Sequence, residues 1–97
     1  MTLSSTLFML QGKFKQGPDL IQQLIQMAAI HDPVILMGEF VLYAHDTRLK
    51  PYTLYLLEND AIILDNIALS SENNIRVVNY SQLTDLILQY QRCISFK

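Results

Sequence analysis

The sequence predicts an α/β fold: a three-layer sandwich with a mainly parallel sheet of four to five strands, flanked by helices. Three observations carry that reading. Strand-like and helix-like stretches alternate four times, the order that a parallel sheet with helices on its faces requires. The run Val34-Ile35-Leu36-Met37 is apolar without polar alternation, the mark of a strand covered on both faces. Gly38-Glu39 interrupts it, and the chain at once re-enters an apolar segment from Phe40 to Ala44. Ligands and partners gather at the carboxyl ends of central strands in such sheets. Gly38-Glu39-Phe40 is therefore the first place to look for function.

The elements follow in order. Ser5 to Leu10 (STLFML) predicts the first strand, and Gln11 to Gly17 (QGKFKQG) a loop. Pro18 suits the first turn of a helix, where its missing N–H costs nothing, and Asp19 suits the positive end of the helix dipole. Leu20, Ile21, Leu24, Ile25 and Ala28 then recur at helical spacing, with Gln22, Gln23 and Gln26 on the other side. His31-Asp32-Pro33 disfavours continuation, so this helix should end near Ile30. After the second strand, Val41 to Leu49 reads as a short helix stopped by Pro51. Tyr52 to Leu57 (YTLYLL) is the third strand, rich in aromatic and branched side chains. Glu58-Asn59-Asp60 starts a helical turn or two through Ala61 to Leu64, and Asn66 to Asn74 reads as a loop. Ile75 to Val78 is the fourth strand. Ser81 is the expected cap of a last helix whose apolar face is Leu83, Leu86, Ile87 and Tyr90. Gln91 to Lys97 is a tail, too apolar at Ile94 and Phe96 to be simply frayed.

Ninety-seven residues make one domain, taken as 1–97, with a core but little to spare. Of these residues 51% are hydrophobic and 16% charged. That balance leaves more apolar surface than one copy can bury, which predicts assembly with other subunits or with itself. A net charge of −2 without a Lys/Arg cluster argues against direct nucleic-acid contact. The opening residues lack the basic and small-residue marks of a signal peptide, and no apolar run approaches the ~20 residues that span a bilayer. A cytoplasmic protein without membrane contact is the expectation.

Candidate chemistry is sparse. Cys93 is the single cysteine, which excludes an internal disulfide and a cysteine-based zinc site. A reactive thiolate wants a helix N-terminus or a basic neighbour; Cys93 follows the end of the last helix, with Arg92 as partial compensation. A structural thiol is the expected reading. His31 and His45 stand apart from other ligands, and no metal site is expected. Asp19, Asp32, Asp46, Asp60, Asp65 and Asp85 form no evident carboxylate pair; Asp19 and Asp60 suit helix starts. Lys13 and Lys15 read as a solvated loop. Strand one ends Leu10-Gln11-Gly12 without the acidic residues of a response-receiver domain. The three glycines, at 12, 17 and 38, provide neither a dinucleotide-binding turn nor a P-loop, so no cofactor is expected. Glu39, Phe40, Tyr43, Tyr80 and Phe96 are the interface candidates, four of them aromatic, a class that concentrates binding energy in buried contacts.

Three blocks in this order carry a family resemblance: Asp32-Pro33-Val34-Ile35-Leu36-Met37 with Val41 and Ala44 beyond, Leu54-Tyr55-Leu56-Leu57-Glu58-Asn59-Asp60, and Val77-Val78-Asn79-Tyr80-Ser81. The chain resembles the TusB/DsrH family, small subunits of sulfur-relay complexes with a DsrE/DsrF/DsrH-like α/β fold, over nearly its whole length. The resemblance implies a subunit that works beside DsrE/TusD-like and DsrF/TusC-like partners. In one branch the relay delivers persulfide sulfur toward 2-thiouridine at the tRNA wobble position; in the other it serves sulfur oxidation. It also implies that the sulfur-carrying cysteine belongs to a partner, since Leu20 to Ile30 lacks the first-helix cysteine of some H-type members. One departure stands out. Where the family pattern has Asp-Gly-Val, this chain has Glu39-Phe40-Val41. Either the turn has another backbone, or Phe40 fills a gap in a partner surface. The readings from other classes are a homo-oligomeric binding module without sulfur chemistry, and a sulfurtransferase that uses Cys93 itself.

Overall fold

In a computed structural model that describes residues 6–61, 74–90 and 92–96, five strands lie parallel in the order β4-β3-β2-β1-β5. They are β1 (Thr6–Leu10), β2 (Val34–Leu36), β3 (Leu54–Leu57), β4 (Ile75–Val78) and β5 (Arg92–Phe96). The helices are α1 (Gly17–Met27), α2 (Glu58–Ala61) and α3 (Tyr80–Leu88), with 3₁₀ turns at Phe14–Gln16, Gly38–Tyr43 and Thr47–Leu49. The chain steps outward from β1 to β4, then returns through α3 to lay β5 on the other side of β1. β2 is the middle strand of the five.

Its unbroken apolar run is explained by burial on both sides. Val34 and Leu36 face α1, in a core with Phe8, Leu10, Leu20, Ile21, Leu24, Leu54 and Leu56. Ile35 faces α3, with Leu7, Leu57 and Leu83. All three β2 side chains are fully buried, as a strand between two helical layers requires. The sandwich thus has α1 on one face of the sheet and α3 on the other.

Several boundaries differ from the sequence expectation, each for a physical reason. α1 ends at Met27, because Ala28 turns extended and the Asp32 carboxylate draws off the next amide, accepting from Ala29 N–H at 2.9 Å. The same carboxylate, buried, accepts from Thr6 N–H at 3.2 Å and ties the start of β1 to the turn before β2. The segment expected as one helix from Val41 to Leu49 is two 3₁₀ turns. Asp46 separates them: it takes extended backbone and caps the second turn by accepting from Arg48 N–H at 2.9 Å. The cap of α3 is Asn79 rather than Ser81, in a reciprocal box with Gln82 (2.8 and 2.9 Å).

The expected tail is a fifth strand. Arg92–Phe96 pairs with β1 along its length, and Phe96 stacks on Phe8 with 6.2 Å between ring centroids and 8° between planes. The short helix predicted through Ala61 to Leu64 is present as Glu58–Ala61. Its continuation and the loop reading for 66–73 lie outside the described residues. Asn74 donates to Leu49 O and Tyr52 O (3.2 and 3.0 Å), which pins the entry to β4. No helix of the described residues is long and apolar enough to cross a membrane.

Candidate functional site at the carboxyl ends of the strands

The rim where the strands end carries most of the residues singled out from sequence. Across it, Tyr80 follows β4, Glu58-Asn59-Asp60 follows β3, Gly38-Glu39-Phe40 follows β2, Gln11-Gly12-Lys13 follows β1, and Phe96 ends β5. With neighbouring strands ~4.8 Å apart, Tyr80 and Phe96 stand on the order of 19 Å from each other. The five interface candidates therefore do not form one patch. Glu39, Phe40 and Tyr43 share the 3₁₀ turn Gly38–Tyr43, and the other two mark the ends of the rim.

The turn after β2 resolves the alternative posed by Phe40. Gly38 takes the left-handed backbone at φ +59°, which a glycine adopts without cost. Among the described residues, nothing but glycine has positive φ, so Phe40 stands in no strained position. Gly38 N–H donates to the Asp60 carboxylate at 3.1 Å and joins the ends of β2 and β3. The chain then winds through the 3₁₀ turn, with Phe40 N–H donating to Met37 O at 3.2 Å. The Phe40 ring is fully buried, in the α1-side core.

Phe40 is therefore a core residue, and its reading as an interface side chain is corrected. The left-handed backbone of this turn falls on Gly38, two residues earlier, and position 40 points inward. Tyr43 is half-buried: its ring sits edge-on to Phe40 (5.6 Å between centroids, 61° between planes) and covers Gly17. A side chain at Gly17 would overlap that ring, so the glycine opens α1 by letting Tyr43 close over it. Most of the Tyr43 ring, like the stacked Phe96 ring, serves the fold.

Two of the five candidates lie at the surface. Glu39 is exposed, and Tyr80 is 64% exposed at the first position of α3. Leu42, on the same turn as Glu39, is 46% exposed and was not singled out from sequence. The signal was there, in an apolar residue two places from buried Phe40 and next to buried Val41. Lys13 and Lys15 are exposed, and Lys13 N–H is held by the Gln16 side chain at 2.8 Å.

Cys93 lies away from this rim, at the second position of β5. Its Sγ is 3.3 Å from the Met9 sulfur, which Ser95 Oγ also approaches at 4.0 Å. The residue is exposed, yet desolvation of its sulfur on the sheet face pushes the thiol pKa up. A thiol so placed is poorly nucleophilic at neutral pH. His31 approaches Asp32 at 3.7 Å, and His45 lies half-buried after the Gly38–Tyr43 turn. Among the described residues, no group of three His, Cys, Asp or Glu side chains is placed to hold a metal ion.

Compared with known proteins, the sequence matches no family model and no curated protein.

An exposed acid (Glu39), an exposed aliphatic side chain (Leu42) and an exposed phenol (Tyr80) stand on a rim whose backbone is braced by Asp60. Asp32, read from sequence as one of the scattered acids, and Asp60, read as a helix-start residue and found in the first turn of α2, both accept backbone N–H groups that join separate segments. Nothing in their spacing along the chain signals those partners.

Proposed function

We propose that this chain is a non-catalytic subunit of a heteromeric sulfur-relay complex, similar to the one that passes persulfide sulfur toward 2-thiouridine at the tRNA wobble position. The observation that carries the reading is the place of its single thiol. Cys93 sits on an edge strand, near its amino end and away from the rim at the carboxyl ends, with its acidity weakened by desolvation of the sulfur. A chain of this fold that held the relayed sulfur itself would need a thiolate near a helix N-terminus or a cation. The resemblance in sequence order, together with a parallel five-stranded sheet having helices on both faces, supports membership of such an assembly. Its contribution is then to present Glu39, Leu42 and Tyr80 to a homologous subunit and to desolvate that subunit's cysteine.

Isolation of a tagged copy from its own cell tests the proposal. Two homologous α/β chains, one with a cysteine following a strand, should co-purify in fixed ratio. Recovery of the tagged chain alone, under conditions that preserve other complexes, would contradict it. In the isolated complex, Cys93→Ser should leave persulfide transfer intact.

A further inference from the structure

β5 closes one side of the sheet, and among the described residues no strand pairs with its outer edge. Gln11 N–H donates to Phe96 O at 3.0 Å, so the backbone groups of Phe96 point inward to β1. By the two-residue period of a strand, those of Arg92 and Ile94 point inward too, and those of Cys93 and Ser95 point outward. Natural edges are blunted by short length, charged side chains, proline or a bulge, or are covered by a helix or loop. β5 has neither proline nor bulge, since its register with β1 runs unbroken from Thr6↔Arg92 to Leu10↔Phe96. Arg92, at its first position, is its one charged residue.

We propose that two copies of this chain pair through their β5 edges, antiparallel, about a two-fold axis at Ile94. The strand is complementary to itself in that register. Cys93 of each copy faces Ser95 of the other, and these are the residues whose backbone groups point outward, so each pair exchanges both of its N–H···O=C bonds. Ile94 meets its own copy on the axis as the closer, non-hydrogen-bonded pair. Arg92 comes across from Phe96 of the other copy, on the face where that ring already stacks on Phe8. An arginine beside an aromatic ring is attractive, and no like charges meet. The span Arg92–Phe96 is symmetric about Ile94, so moving the axis to Cys93 or Ser95 leaves part of the strand unpaired. This interface stands whether or not the chain serves sulfur relay.

Light scattering on a dilution series of the purified chain, with two variants, tests it. The wild-type mass should rise with concentration toward twice the 11.2 kDa of one chain. Ser95→Pro removes an outward N–H and sets a ring where the second strand would lie, leaving the ladder to β1 intact; it should raise the dimer dissociation constant by more than about tenfold. Ser95→Cys should give, on mild oxidation, a covalent dimer whose disulfide joins Cys93 of one copy to the introduced thiol of the other. A single-chain mass at every concentration would overturn the proposal. So would a dimer that Ser95→Pro leaves unweakened. If Ser95→Pro does not fold, the cross-link decides: the stated pairing supports the interface, and no cross-link or one joining like positions overturns it.

Discussion

Replacing Phe40 by alanine removes a fully buried ring and the edge-on contact with Tyr43, and should cost about 3–5 kcal/mol of stability in urea unfolding. A loss below about 1 kcal/mol would return Phe40 to the surface. The residue scale is where sequence reasoning met its limit. Glu39-Phe40 standing where a glycine was expected suggested contact with a partner, because the sequence does not state which residue takes the left-handed backbone. Gly38 takes it, and Phe40 follows inward. Asp32 was similarly opaque. Its carboxylate holds Thr6 N–H and Ala29 N–H, and neither partner is readable from a position 26 or 3 residues away. Cys93 was legible in outcome though not in cause: the end of a helix suggested a weakly acidic thiol, and burial on the sheet face is what raises its pKa. Its alkylation by iodoacetamide should therefore be slow at neutral pH and keep climbing above the ordinary thiol range. A rate that levels off near neutral pH would mean a thiolate stabilised by a neighbour, and would reopen Cys93 as a sulfur carrier.

At the scale of elements, α3 depends on its reciprocal cap. Asn79→Ala removes the acceptor of Gln82 N–H and should destabilise the fold by about 1 kcal/mol, measured by thermal unfolding. Ser81→Ala, the position that the sequence suggested, should change little. α1 and β2 were legible because burial writes itself into their patterns, as one apolar stripe on the helix and an unbroken apolar run in the strand. β5 was not. Arg92-Cys93-Ile94-Ser95-Phe96 alternates as a strand does, but it is short, and its partner β1 lies 86 residues earlier in register. A pairing that distant leaves no local trace. The 3₁₀ turns after β2 were missed because Phe40, Val41 and Ala44 also fit a helical spacing, and the cap at Asp46 that divides the segment is a single side chain. Gly17 makes a further element-scale test. Gly17→Ala forces the Tyr43 ring off the start of α1 and should cost ~1–3 kcal/mol, with the ring more accessible to solvent.

For the whole molecule, the sheet order puts the expected central strand in the middle and sends the last strand back to the first. Both outer strands, β4 and β5, lack a partner on their far side among the described residues. A low share of charge is the sequence's argument for assembly, and large apolar side chains do stand exposed, Leu88 and Ile30 more than Leu42 and Tyr80. The reading as a relay subunit without its own sulfur carrier is tested most directly in the cell of origin, by measuring 2-thiouridine at the tRNA wobble position after deletion of the gene. The modification should fall sharply, and wild-type and Cys93→Ser copies should restore it equally. An unchanged level after deletion would contradict the role in relay, and rescue by the wild type alone would make Cys93 a carrier of the sulfur.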